Sequence, residues 1–179
     1  MTRLARDLAG ACALVCSLAC AGGACSSDSG PSAGPDAEPG STSLSGSLGD
    51  LGAARATVSS YVISNSGETL VYLSSTPLTC ATLTASRWLG SLPADTQVVE
   101  LVLAGDPSVS AFAVPPNEVH YAAGGRSSAY EVSASTGNIA LTAATVHGAV
   151  EGTVNADFEG GGHVEGSFHA DFCDGGQGY

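Results

Sequence analysis

Residues 149–173 read AVEGTVNADFEGGGHVEGSFHADFC, and this stretch decides the fold. Apolar and polar residues alternate with period two on both sides of Gly160-Gly161-Gly162, which is the pattern of a half-buried β-strand and not of a helix. Two such runs joined by glycines make a β-hairpin. With its turn centred on Gly161, one face pairs Val150 with Phe172, Gly152 with Ala170, Val154 with Phe168, Ala156 with Gly166 and Phe158 with Val164. Large side chains then oppose large or branched ones and small oppose small, as a curved sheet over a packed side requires. Glycines in mid-strand mark bends or a close approach of backbones.

The same alternation runs upstream. It predicts strands over 56–64, 69–74, 97–104, 109–114, 118–123, 127–135, 139–147, 149–158 and 163–173. Turn residues separate them: Asn65-Ser66-Gly67, Gly105-Asp106-Pro107, Pro115-Pro116-Asn117, Gly124-Gly125 and Thr136-Gly137-Asn138. About nine short strands at this spacing predict an all-β domain, a single antiparallel β-sandwich or barrel. One irregular stretch, 76–93, holds Cys80 and Trp88 and is expected to contain a short helix, with Trp88 as a core plug beside Cys80.

Charge excludes several classes of function. The chain has 17 acidic and 5 basic residues, a formal net charge of -12, and all its basic residues are arginines. Nucleic-acid affinity comes mainly from Lys and Arg neutralising phosphates, so no nucleic-acid partner is expected. Adhesion to an anionic lipid surface fails for the same reason. Without lysine there is no Schiff base to a carbonyl or pyridoxal cofactor and no P-loop lysine. No cofactor is expected.

The N-terminus carries Arg3 and Arg6, followed by the uncharged apolar run LAGACALVCSLA over 8–19. That length suits the h-region of a signal peptide and is too short for a membrane-spanning helix. Cys12, Cys16, Cys20 and Cys25 crowd this region. Here the chain resembles bacterial lipoproteins, whose signal peptides end in a lipobox before the cysteine that is lipidated. Cys20 follows Ser17-Leu18-Ala19 and Cys25 follows Gly22-Gly23-Ala24, so residues 1–24 hold the signal peptide with cleavage before one or the other. Neither has the standard aliphatic residue three positions earlier, and the box is degenerate. An ordinary secretory signal ending near Ala21 or Ala24 is the alternative. The residue after the lipidated cysteine would be Ala21 or Ser26 and not the aspartate that retains such lipoproteins at the inner membrane, so the resemblance implies an outer-membrane anchor facing the periplasm or the cell surface. In leader, composition and layout the chain looks like small β-rich envelope lipoproteins of high-GC Gram-negative bacteria.

Residues 25–52 are rich in Gly, Ser and Pro and are expected to form a flexible tether, leaving 53–179 as the β-rich domain. Beyond the leader only Cys80 and Cys173 remain, and in an oxidising exported compartment they are expected to form a disulfide.

The polar face of the C-terminal hairpin is the candidate for chemistry. With the turn on Gly161 it pairs Glu151 with Asp171, Thr153 with His169, Asn155 with Ser167 and Asp157 with Glu165. Like charges directly across a ladder are unfavourable, which makes Glu151, Asp157, Glu165, His169 and Asp171 candidates for a divalent-cation site; carboxylates suit calcium and an imidazole suits a transition metal. The competing expectation is a solvated face screened by water and salt. Paired carboxylates also suggest glycoside hydrolysis, and His120, His147, His163 and His169 leave room for a Ser-His-Asp arrangement, but no G-x-S-x-G elbow singles one out. The sequence therefore points to a lipid-anchored, non-enzymatic binding or structural module with an envelope protein as possible partner. The alternative is a small-ligand or divalent-metal carrier.

Overall fold

The computed structural model describes residues 41–83, 88–125 and 131–174, apart from the side chain of Trp88. The expected signal peptide over 1–24, with Cys20 as one candidate for lipidation and Cys25 as the other, and the expected packing of Trp88 beside Cys80 lie outside the described residues. Among those described, ten strands run in chain order: β1 (Ser43–Ser47), β2 (Ala53–Ala56), β3 (Val58–Ile63), β4 (Thr69–Ser74), β5 (Gln97–Leu103), β6 (Ser110–Val114), β7 (Glu118–Ala123), β8 (Val132–Ala144), β9 (Ala149–Phe158) and β10 (Gly162–Phe172). A single helical turn, α1 (Cys80–Leu83), and a 3-10 turn (Trp88–Ser91) fall within the stretch expected to be irregular. No helix among the described residues is long and apolar enough to cross a membrane.

The protein is all-β. Seven strands, β3-β4-β5-β7-β8-β9-β10, close into a barrel, with β1, β2 and β6 added to it. Its two seams are short. β7 meets β8 through His120↔Ser133 and Tyr121↔Val132. β10 meets β3 through Asp171↔Ser60 and Phe172↔Tyr61, and this pair is parallel, so the barrel is not antiparallel throughout. Beyond each seam the long strand takes another partner: β10 pairs with β1, and β8 pairs with β6.

Several expectations need correction. Residues 43–51, assigned to the tether, form β1 and a 3-10 turn (Gly49–Leu51), so the domain starts ten residues earlier than expected. Ser43-Leu-Ser-Gly-Ser47 has a linker's composition, yet Leu44 and Leu48 are buried in the core and the backbone is held by β10. The expected strand over 56–64 is divided at Thr57 between β2 and β3. The expected turn at Thr136-Gly137-Asn138 lies inside the single long strand β8. Gly137 serves packing there, because a Cβ would sit 2.6 Å from the Asn155 carbonyl oxygen.

The hairpin register also differs, by two residues. Phe158 faces Gly162, Val154 faces Gly166, Gly152 faces Phe168 and Val150 faces Ala170. Gly160 and Gly161 both take φ near +88°, a conformation open to glycine, and they shorten the loop to three residues. A two-residue shift keeps every side chain on its expected face and changes only its partner. Small now opposes large: the Phe168 ring lies where a Cβ on Gly152 would be, 2.9 Å from its Cζ.

The barrel interior is packed with side chains such as Tyr61, Leu73, Leu101, Ile139 and Val164, all wholly buried, together with Phe168. A second apolar layer lies outside. Leu83, Leu89 and Leu92 of the 76–96 segment pack on Val62, Leu70, Tyr72 and Val98. That covers β4 on both faces, which explains its continuous apolar run Leu70-Val-Tyr-Leu73. The Cys80–Cys173 disulfide ties this cover to the end of β10. Its 93-residue separation makes it worth roughly 4–5 kcal/mol by chain entropy.

Tyr61 sits at the parallel seam. Its Oη donates to the Thr145 carbonyl at 2.9 Å and its ring lies 5.2 Å from that of Phe172. Burial pushes its hydroxyl above the ordinary tyrosine range, outweighing the backbone of Gly148 and His147, which pulls the other way. Above the unfolded value of about 10 the unfolded chain has lost a proton that the native state keeps, so stability is complete below that pH and falls as pH rises through the folded value. Tyr61→Phe should cost about 0.5–1.5 kcal/mol at neutral pH and flatten the alkaline decline in urea melts. A variant whose stability falls in parallel with the parent above pH 10 would contradict this placement.

Candidate functional site

The outer face of β8, β9, β10 and β1 carries the polar half of the alternation. Its rows run across four strands: Thr136, Asp157, His163 and Ser47; then Asn138, Asn155, Glu165 and Ser45; then Ala140, Thr153, Ser167 and Ser43. Arg55 of β2, exposed and the one arginine among the described residues, stands next to Ser45 in register.

The corrected register replaces the two expected acid–acid pairs with acid–histidine pairs. Asp157 faces His163 and Glu151 faces His169. His163 Nδ1 lies 2.8 Å from Asp157 Oδ1, and His169 Nδ1 lies 2.9 Å from Glu151 Oε1. A carboxylate only accepts, so each Nδ1–H donates. The residue two positions on along β10 takes the other side of each ring: Glu165 Oε2 lies 3.9 Å from His163 Nε2, and Asp171 Oδ1 lies 3.5 Å from His169 Nε2. The repulsion expected between like charges does not arise between directly facing residues.

This arrangement distributes the five residues considered as cation ligands. Glu151, His169 and Asp171 form one cluster, and Asp157 and Glu165 form a second around His163. Within each, the carboxylates approach opposite nitrogens of one ring and so do not converge with it on a common point. Among the described residues, no group of three or more His, Cys, Asp or Glu side chains is placed to hold a metal ion.

Between the two clusters lies a groove of about 300 Å³, lined by Ser43 and Ser45 of β1, Asn138 of β8, Thr153, Val154 and Asn155 of β9, and Glu165, Gly166 and Ser167 of β10. Sequence reasoning reached its β9 and β10 walls and missed the rest. Ser43 and Ser45 lay in the supposed tether and Asn138 in a supposed turn. The signal that could have found them is Leu44 and Leu48 set among the serines, two buried positions at an even spacing.

A second depression, of about 230 Å³, lies over β4, β5 and β7 and is lined by Ser64, Glu68, Leu70, Glu100, Val102, Glu118 and His120. His120 bridges Glu118 Oε2 at 2.7 Å and Ser133 Oγ at 2.8 Å. In the tautomer whose Nε2–H donates to the carboxylate, Nδ1 accepts from the serine hydroxyl. This is a serine–histidine–glutamate chain in form. The adjoining depression, however, presents three carboxylates, the opposite of what a developing oxyanion needs.

Adding chelator, then millimolar calcium or micromolar zinc, should leave the thermal midpoint unchanged. A ligand at about 100 times its dissociation constant would contribute roughly 2.7 kcal/mol and shift a domain of this size by several degrees. A saturable rise that Asp157→Asn removes would contradict the reading of these clusters as hydrogen-bonded pairs.

The chain was compared with protein-family models, curated proteins and solved structures, and none of them matches it.

Proposed function

We propose that this is a lipid-anchored envelope protein, held through Cys20 or Cys25, whose barrel is a non-enzymatic binding module displayed from the outer membrane. The leader supports the anchor: Arg3 and Arg6, an uncharged apolar run of signal-peptide length, then a cysteine after small residues. A single observation carries the binding role. The barrel interior is filled by wholly buried side chains, while six polar side chains with no hydrogen bond to another described residue line the groove outside. A carrier of small ligands, the alternative, would use this same groove and not the barrel axis. The net charge of -12 directs the choice of partner toward envelope proteins or neutral polymers and away from nucleic acid.

Two measurements in the native host test the two halves of this proposal. Cys20→Ser and Cys25→Ser are each followed by palmitate incorporation, and one of them should abolish labelling; labelling that neither affects would remove the lipid anchor. A photo-crosslinking residue placed at Asn155 should trap an envelope component that one placed at Asp106, in an exposed loop, does not. The absence of a protein adduct at Asn155 would remove the protein partner and leave the binding role resting on a non-protein ligand of the groove, whose failure as well would remove it.

A further inference from the structure

We infer that the groove between β1, β8, β9 and β10 takes an uncharged, hydroxyl-rich ligand, a segment of a neutral glycan; this rests on the binding role proposed above. Its polar lining consists of four hydroxyls, on Ser43, Ser45, Thr153 and Ser167, two carboxamides, on Asn138 and Asn155, and the Glu165 carboxylate. Each hydroxyl and each carboxamide both donates and accepts. None of these six side chains is hydrogen-bonded to another described residue.

The surrounding face is different. Thr136 Oγ1 donates to Asp157, Thr142 Oγ1 donates to the Glu151 carbonyl, and both outer-face histidines are held by carboxylates. The groove thus gathers six uncommitted side chains, whereas Thr136, Thr142, His163 and His169 beside it are already bonded and Ser47 at its rim is not. The six side chains come from four strands whose registers bring Asn138, Asn155 and Ser45 into one row and Thr153, Ser167 and Ser43 into the next. The result is a grid with about 4.8 Å between strands, in which neighbouring positions can each give and take a hydrogen bond.

The chemistry of the ligand follows by comparison. An anion meets Glu165 inside the groove and a strongly acidic protein around it. A cation meets a single carboxylate, already turned toward His163. An apolar or aromatic ligand finds no exposed apolar side chain in the lining, since the Val154 side chain is buried in the core and Gly166 has none. A peptide adding itself as a strand needs a sheet edge, and this groove lies on a sheet face. A sugar ring, which presents neighbouring hydroxyls as paired donors and acceptors, matches what remains. About 300 Å³ is the small end of ligand sites and accommodates a short segment of a chain. No aromatic side chain lines the groove to stack on a ring, and exchanging water hydrogen bonds for ligand hydrogen bonds gains little at each contact. Single-site affinity is therefore weak, and many tethered copies on one membrane would hold a polymer through avidity.

Affinity electrophoresis of the full-length protein in mild detergent tests this. Non-denaturing gels are cast with dextran, galactomannan, soluble starch or hydroxyethylcellulose, and in parallel with polygalacturonate. With repeat units in the gel at or above the dissociation constant of the single site, at least one neutral polymer should cut mobility by about half or more relative to an acidic reference protein, and polygalacturonate should not. Asn138→Ala with Asn155→Ala should abolish the retardation while Thr136→Ala keeps it, with melting curves confirming that all variants are folded. The inference is overturned if no neutral polymer retards the protein, if retardation survives the paired asparagine substitutions, or if polygalacturonate retards it equally. A protein adduct at Asn155 in the crosslinking experiment, together with no retardation by any neutral polymer, would leave the binding module standing and remove the glycan. Failure of both would remove the module as well.

Discussion

The structure depends on the register between β9 and β10. Two glycines at positive φ close the loop in three residues and place Phe158 opposite Gly162. On the inner side this sets the Phe168 ring into the space left by Gly152, and places Gly166 opposite Val154 with the β1 backbone of Ser43 and Leu44 packed where its side chain would be. On the outer side it gives both acidic residues of β9, Glu151 and Asp157, a histidine on β10, and sets Glu165 opposite the neutral Asn155. One backbone constraint thus satisfies packing on one face and electrostatics on the other.

β10 transmits that register to the rest of the barrel. Its first half carries β1, and its last residues meet Ser60 and Tyr61 of β3 to form the parallel seam. A slip of β10 would move Phe172 from Tyr61 and take Ser167 and Glu165 away from Ser43 and Ser45. The residue after β10, Cys173, is buried and bonded to Cys80, which fixes the strand's end against the outer apolar layer. The interior, the cover and the groove therefore share one determinant.

Much of the fold was legible because period-two alternation is a strong signal where one face is buried. β4, β7 and β9 have the bounds expected from the sequence. The failures share a physical origin. Small residues pack backbones closely in this domain, and by composition they look like linkers and turns: Ser43-Leu-Ser-Gly-Ser47 is a strand, and Gly137 lies inside one. Register could not be fixed from side-chain size alone, because matching large with large ignores the glycines that admit a ring on the opposing strand. The candidate site was half legible. Its β9 and β10 residues sit on the alternation, but Ser43, Ser45 and Asn138 join them only through pairings between strands distant in sequence.

The groove exists only in this register, so its backbone pairing is the point to measure. Cross-strand nuclear Overhauser contacts between β9 and β10 in the folded protein read it directly. Contacts of Asn155 with Glu165 and of Thr153 with Ser167 are the predicted result. Contacts of Asn155 with Ser167 and of Asp157 with Glu165 would place the turn on Gly161, bring the carboxylates face to face and dissolve the groove as described.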